Sequence, residues 1–233
     1  MFKWSRYRKV IGKQLKLFLL IPLMGVMSSS YATISNNKAW SLVTLFGNYG
    51  VFLYYIEPHL RAIEAHDPFN QFITHAGGGY QITPHWQLWL GQTLGTTSQD
   101  ANPGDLDEYR VWEQAVWQHP FYRATLTSRT RLEQRKSFDY APWANRIRER
   151  LLINIPLTTN TALAISNELF VNLNQVQWIT TKTWDQNRAY TGIVQQLSNT
   201  TSLNVGYMNQ WIFSPTMQSN KVLVVGFVIN LAT

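Results

Sequence analysis

An all-β, transmembrane, up-and-down antiparallel barrel is the fold class that this sequence predicts, on three observations. After residue 33 the chain divides into segments of period-two alternation, most of them 10 to 15 residues long. The connections between these segments alternate between short and long. The polar face of several segments carries arginine and glutamate, side chains that need water or partners. Strands of a soluble sandwich are usually about 5 or 6 residues, with charged side chains turned outward to water. Strands that cross a bilayer need about 9 to 11, with one face toward lipid and the other toward a polar lumen.

The chain opens differently from the rest. Lys3, Arg6, Arg8, Lys9, Lys13 and Lys16 precede an apolar run, "LFLLIPLMGVM", and then "SSSYA", with Ser30 and Ala32 at the small-residue positions of a cleavage site. These are the parts of a secretory signal peptide, and cleavage is expected after Ala32, giving residues 1–32 as signal and 33–233 as one barrel domain. The run from Leu17 to Met27 has 11 residues and contains Pro22, too few for a spanning helix of about 20. The chain has 20 Lys and Arg against 13 Asp and Glu, but six of the basic residues lie before residue 17, so residues 33–233 carry a formal charge of only +1. The basicity therefore reads as an export address, and no nucleic-acid partner is expected. The sequence contains no cysteine, which excludes a disulfide scaffold and thiolate metal sites.

The expected strands are 50–63, 70–82, 85–97, 107–119, 121–136, 145–157, 160–174, 183–197, 201–214 and 220–231, with a further segment at 38–47. In "TALAISNELFVN", Leu163, Ile165, Leu169 and Val171 oppose Ala164, Ser166, Glu168 and Asn172. In "RIRERLLINI", Ile147, Leu151, Ile153 and Ile155 oppose Arg146, Arg148, Arg150 and Asn154. Short connections fall at 83–85, 119–121, 156–160 and 198–201, and long ones at 97–107, 136–145 and 174–183, as a meander requires. Trp86, Trp117 and Tyr122 lie beside short connections, and Tyr109, Tyr140, Trp143, Trp178 and Trp184 beside long ones, where interfacial girdles would place them. Counting back from a periplasmic C-terminus gives ten strands from Gly50 to Leu231, with twelve as the second choice. Segment 38–47 is then an extra strand, a piece of chain in the lumen or on the rim, or the sign of a misplaced boundary.

With Leu126 and Leu132 outward, "SRTRLEQR" turns Arg129, Arg131, Glu133 and Arg135 inward, together with Arg123, Thr125 and Thr127. Neighbouring strands add Arg146, Arg148 and Arg150, then Glu168, Gln186 and Arg188, and then Gln210. Acids interleaved with arginines point first to an internal ion-pair network that fills the barrel, with Glu168 as the main counter-charge for Arg148, Arg150 and Arg188. A basic constriction selecting anions is the functional alternative.

Six strings, "EYRVWEQ" (108–114), "SRTRLEQR" (128–135), "RIRERL" (146–151), "SNELFVNLN" (166–174), "DQNRAYTGI" (185–193) and "VGYMNQW" (205–211), resemble the successive blocks of a bacterial family of outer-membrane β-barrels known only as a domain of unknown function. The resemblance implies location and architecture, and brings no activity with it. The chain ends "GFVINLAT" instead of on an aromatic residue, yet Gly226, Ile229 and Leu231 resemble the C-terminal signal read by the barrel-assembly machinery, an expected partner alongside outer-membrane lipid and lipopolysaccharide.

No catalytic set stands out. His85 and His119 fall at short turns, His66 in a loop beside Asp67, and His59 and His75 within strands without a serine and acid at a recognisable spacing. No histidine pair has metal-ligand spacing, so neither metal nor cofactor is expected. "HAGGGYQ" (75–81) lacks the Lys-Ser/Thr and helix of a phosphate loop, and its glycines read as a bend or as room for a bulky neighbour. Asp100, Asp105, Asp107 and Glu108 read first as a solvated acidic outer loop, its spacing matching no defined calcium loop, with a divalent cation shared with lipopolysaccharide phosphates as the alternative. Two function classes follow: a structural or narrow-channel barrel with an Arg/Glu-lined lumen, and a membrane-embedded enzyme or binding protein acting on lipid or lipopolysaccharide.

Overall fold

The computed structural model describes residues 34–63, 67–97, 107–179 and 181–231. The expected signal peptide, its cleavage site, His66, Asp100 and Asp105 lie outside the described residues. Eleven strands follow one another: β1 (Ile34–Tyr49), β2 (Phe52–Ile63), β3 (Asp67–Thr83), β4 (Trp86–Thr97), β5 (Glu108–Phe121), β6 (Ala124–Ser137), β7 (Ala144–Pro156), β8 (Thr161–Asn172), β9 (Trp184–Gln196), β10 (Thr201–Ile212) and β11 (Gln218–Asn230). Each pairs antiparallel with its neighbours in sequence, and β1 closes the barrel by pairing parallel with β11. Every segment with period-two character is a strand, including the one at 38–47.

The strand count of ten, and the second choice of twelve, are both corrected to eleven. Parity holds only if every seam of the barrel is antiparallel. Here Ile34 lies beside Gln218 and Phe46 beside Asn230, in a parallel ladder that still satisfies the backbone of both end strands, though slightly less stably per residue. One consequence is geometric: β1 starts at the end of the barrel carrying the long connections, whereas β11 finishes at the end carrying the short turns.

Residues 50–51, 84–85, 122–123, 157–160 and 197–200 make the short-turn end. Gly50 has φ 57°, as the first position of a two-residue hairpin turn demands. Tyr122 holds the same place in the turn between β5 and β6, also at φ 57°, where a side chain is strained. Tyr122→Gly is expected to stabilise the barrel by about 1 kcal/mol, read as a raised urea midpoint. Arg123, expected in the lumen, is instead exposed in this turn, with its guanidinium 5.9 Å from the Tyr122 ring. Trp178, expected in a girdle, turns toward the lumen mouth: Arg135 lies over its ring and its indole N–H donates to the Pro142 carbonyl.

The outward face is apolar over much of its area, with Ile56, Leu60, Leu88, Leu90, Leu94, Ile153, Ile165, Val205 and Leu223 all exposed. Two carboxylates interrupt it. Glu149 accepts hydrogen bonds from Ser128 (2.7 Å) and Thr130 (2.5 Å), and Glu113 accepts one from Gln134 (3.1 Å).

Inside, one half of the barrel is filled by aromatic side chains. Leu53, Trp89 and Trp112 form a buried cluster, flanked by Phe46, Tyr55 and Val116. The glycines of β3 and β4 make this possible. A Cβ on Gly91 would lie 2.1 Å from the Trp112 ring, one on Gly77 would lie 2.6 Å from it, and one on Gly79 would lie 2.5 Å from Trp89. "HAGGGYQ" is therefore a floor for two indoles, as its glycines suggest. A second cluster, Trp40, Met208, Val222 and Val224, closes the wall where β1 meets β11.

Candidate functional site: an arginine-lined lumen

Alternation along β5 to β9 turns an unusual set of side chains inward, and the register then sets like charges opposite one another. Arg110 faces Arg135, Arg131 faces Arg148, and Arg129 faces Arg150. Directly opposed like charges destabilise a sheet unless a counter-charge intervenes. A glutamate lies beside each pair. Glu108 accepts from Arg110 (2.8 and 2.9 Å) and from Arg135 (2.5 Å). Glu133 accepts from Arg146 (2.6 and 3.0 Å) and Arg148 (2.6 Å), with Arg131 at 3.9 Å. Glu168 accepts from Arg129 (2.6 Å) and Arg148 (2.7 and 3.0 Å).

Several arginines also lie over ring faces, which replace part of their water. Arg131 lies 4.0 Å from the Trp112 ring, while Arg148 and Arg188 lie 4.4 and 4.5 Å from the fully buried Phe170 ring. Beyond Arg188 the network continues as amides. Arg188 donates to Gln186, Gln210 donates to Gln186 at 2.7 Å, and Asn220 donates to Gln210.

Of the residues expected in the lumen, Arg123 lies outside it, whereas Arg129, Arg131, Glu133, Arg135, Arg146, Arg148, Arg150, Glu168, Arg188 and Gln210 lie on the inward face. Their pairing differs in one respect. Arg150 and Arg188 are the register partners of Glu168, yet its bonds run diagonally to Arg148 and past Arg150 to Arg129, two strands away in the same row. Glu168 thus answers two arginines by direct contact, and Glu133 is the more enclosed acid, with no exposed surface.

Other inward residues were not singled out by sequence reasoning. Glu108, assigned to the acidic outer loop, is the first residue of β5 and is buried against two arginines. Its alternation with Arg110, Trp112 and Gln114 carried that signal. Asp185 accepts from Arg146 at 2.6 Å. Glu57, His59 and Arg61 share the inward face of β2, and His75 lies opposite Glu57 on β3. Among the described residues, no serine is hydrogen-bonded to these histidines. They do, however, form with Glu57 a cluster that the expectation of no ligand pair missed, because its members come together only across the β2–β3 ladder.

The charged groups surround a cavity of about 670 Å³. It runs from Gln71, Thr97 and Ile212 near the long-connection end to Asn204 and Val228 near the short turns, and every strand contributes to its lining. One lysine and nine arginines line it, against Glu57, Glu108 and Glu168, with Glu133 and Asp185 buried among the arginines. Ten cations against five carboxylates leave an excess of five positive charges. Among the described residues, Lys38, Arg61, Arg150 and Arg188 have no carboxylate within ion-pairing distance. The Nε atoms of Arg61, Arg129 and Arg150 are buried without a hydrogen-bond partner.

Residues 37–221 match a family model described as a protein of unknown function, DUF2490. An uncharacterized protein of Methylorubrum extorquens is 26% identical over 186 residues, covering 78% of this chain and 81% of that protein. Among solved structures, the NanC porin superimposes with a TM-score of 0.50 at 11% identity, covering 73% of this chain and 78% of that one. At that identity the likeness is one of fold.

Proposed function

Because the chain belongs to the DUF2490 family, whose description carries no activity, we propose a function from the lumen: a transmembrane barrel of the Gram-negative outer membrane whose narrow pathway favours small anions. The carrying observation is the excess of five cations around one continuous cavity. Rings of charged side chains select ions of opposite sign, and the surplus arginines are donors that a passing carboxylate or phosphate would engage. Strands of 12 to 17 residues are long enough to cross a bilayer at a tilt, and the apolar outward face supports that placement. The porin-like fold agrees with it. Export through the cleaved signal peptide, insertion by the assembly machinery, and contact with lipid and lipopolysaccharide belong to the same reading.

Placement and selectivity are tested separately. The protein should fractionate with the outer membrane and migrate differently on gels before and after boiling, since a closed sheet in lipid satisfies its own backbone and unfolds slowly. Recovery as a detergent-free periplasmic monomer would sink the placement. In planar bilayers under a salt gradient, the reversal potential should report anion preference with a small conductance. Glu168→Gln should strengthen that preference, and it should lower the urea midpoint because Arg129 and Arg148 lose their shared counter-charge. Cation preference in the parent protein would overturn the selectivity reading.

A further inference from the structure

We propose that Glu57, His59 and His75 form a binding site for a transition-metal dication of the zinc type, set in the inner wall of the barrel. One oxygen of Glu57 and one ring nitrogen of each histidine lie within 4.8 Å of one another. The backbone fixes this proximity. Glu57 and His59 are two residues apart on β2 and so share its inward face, and His75 is the register partner of Glu57 on β3.

Charge distribution sets this trio apart from the rest of the lumen. Of the five inward carboxylates among the described residues, Glu108, Glu133, Glu168 and Asp185 are each bound by arginine, and Glu57 is the one paired with histidine instead. Its Oε1 lies 2.8 Å from His59 Nε2. That is a hydrogen-bond distance, and two tetrahedral ligands about 2.0 Å from one zinc lie about 3.3 Å apart, so a metal taking the place of the proton would open the pair by about 0.5 Å. The nearest cation on β2, Arg61, is engaged elsewhere: it donates to Gln71 at 2.9 Å and its guanidinium lies 3.9 Å from the Trp40 ring.

Outer partners hold two of the three ligands, Glu57 and His75, as they do around bound metals. Thr44 donates to the other oxygen of Glu57 at 2.5 Å. Thr93 lies 2.6 Å from His75 Nδ1 and also receives the Trp112 indole N–H at 3.1 Å, which fixes the hydroxyl. With Nδ1 committed to Thr93, His75 has Nε2 left for a ligand. His59 does not behave as a satisfied core histidine: it is 8% exposed and its Nδ1 is buried with no partner. Among the described residues, Glu57 is thus its hydrogen-bond partner. Two imidazoles and a carboxylate suit zinc and its first-row neighbours, and leave one coordination position for water or for an anion arriving along the arginine-lined side.

The test uses the full-length mature barrel in detergent, purified without a histidine tag and dialysed against zinc. One zinc per chain is expected, measured by elemental analysis, with X-ray absorption reporting two imidazoles per metal. His59→Gln, His75→Gln and Glu57→Gln should each remove the bound zinc. Thr93→Val keeps all three ligands and should weaken binding about 10- to 100-fold, the usual effect of losing an outer hydrogen bond. The double variant His85→Gln/His119→Gln serves as the control, because those rings also lie together, 4.9 Å apart, at the short-turn end. It should keep its zinc. Heat-modifiable migration identifies variants that have folded, and the absorption spectrum of the unmutated protein stands whether or not a variant folds. No zinc on the parent protein, one imidazole or none per metal, or zinc that persists in His59→Gln and His75→Gln but leaves with His85 and His119 would each overturn the site.

Discussion

Glu133→Gln is expected to destabilise the barrel by about 3 to 5 kcal/mol, the cost of breaking a buried ion pair by removing one partner. Glu133 has no exposed surface and takes hydrogen bonds from Arg146 on one oxygen and Arg148 on the other. An amide of the same shape keeps one acceptor and turns its NH2 toward a guanidinium, so a donor meets a donor. The register compounds the loss, because Arg131 and Arg148 are directly opposed and Glu133 is the carboxylate beside both. The control is Glu113→Gln. Glu113 lies on the outward face of β5, is exposed and accepts a single bond from Gln134. Exposed interactions of this kind are worth about 0 to 1 kcal/mol, so its urea midpoint should barely move. Equal midpoints for the two variants would mean that Glu133 is not enclosed by arginines, and the inward face of "SRTRLEQR" would have to be reassigned.

Much of the fold was legible because strand alternation is a local property. The period-two pattern of "RIRERLLINI" survives whatever the strand pairs with, and it places Arg146, Arg148 and Arg150 on one face without knowledge of the neighbours. The closing seam was not legible. Nothing in the alternation of residues 34–49 says whether the partner runs parallel or antiparallel, so a count built on antiparallel closure had to miss by one. The lumen divides in the same way. Its arginines were visible along single strands, but Glu108 was read with the acids preceding it, although its alternation with Arg110 already put it inside. The Glu57, His59 and His75 cluster needed cross-strand register as well as alternation. A Glu-x-His pair on a strand shares a face as firmly as residues four apart on a helix, and the third member came from β3. Glycine behaved likewise: residues 77 and 79 announced space for large neighbours, but that the neighbours are Trp112 and Trp89 follows from the fold.

Trp112→Ala is expected to widen the pathway and to weaken the barrel together. The indole is fully buried, rests on Gly77 and Gly91, stacks with Tyr55 at 6.0 Å and donates to Thr93. Truncating a buried tryptophan costs about 3 to 5 kcal/mol, and here the glycines beneath it have no side chains with which to refill the space. Arg131 loses the ring face it lies over at 4.0 Å, while its bonds to Gln114 and Tyr55 stay in place. A larger opening with the Arg131 guanidinium uncovered should raise single-channel conductance and shift the reversal potential further toward anions. Trp117→Ala provides the comparison, since alternation turns that ring outward from β5, where it stacks on His119 at 5.6 Å. Its loss should leave conductance unchanged. If Trp112→Ala folds, as judged by heat-modifiable migration, yet conducts as the parent does, the aromatic cluster does not bound the ion pathway, and the cavity along the arginine wall would have to be read as a closed binding chamber.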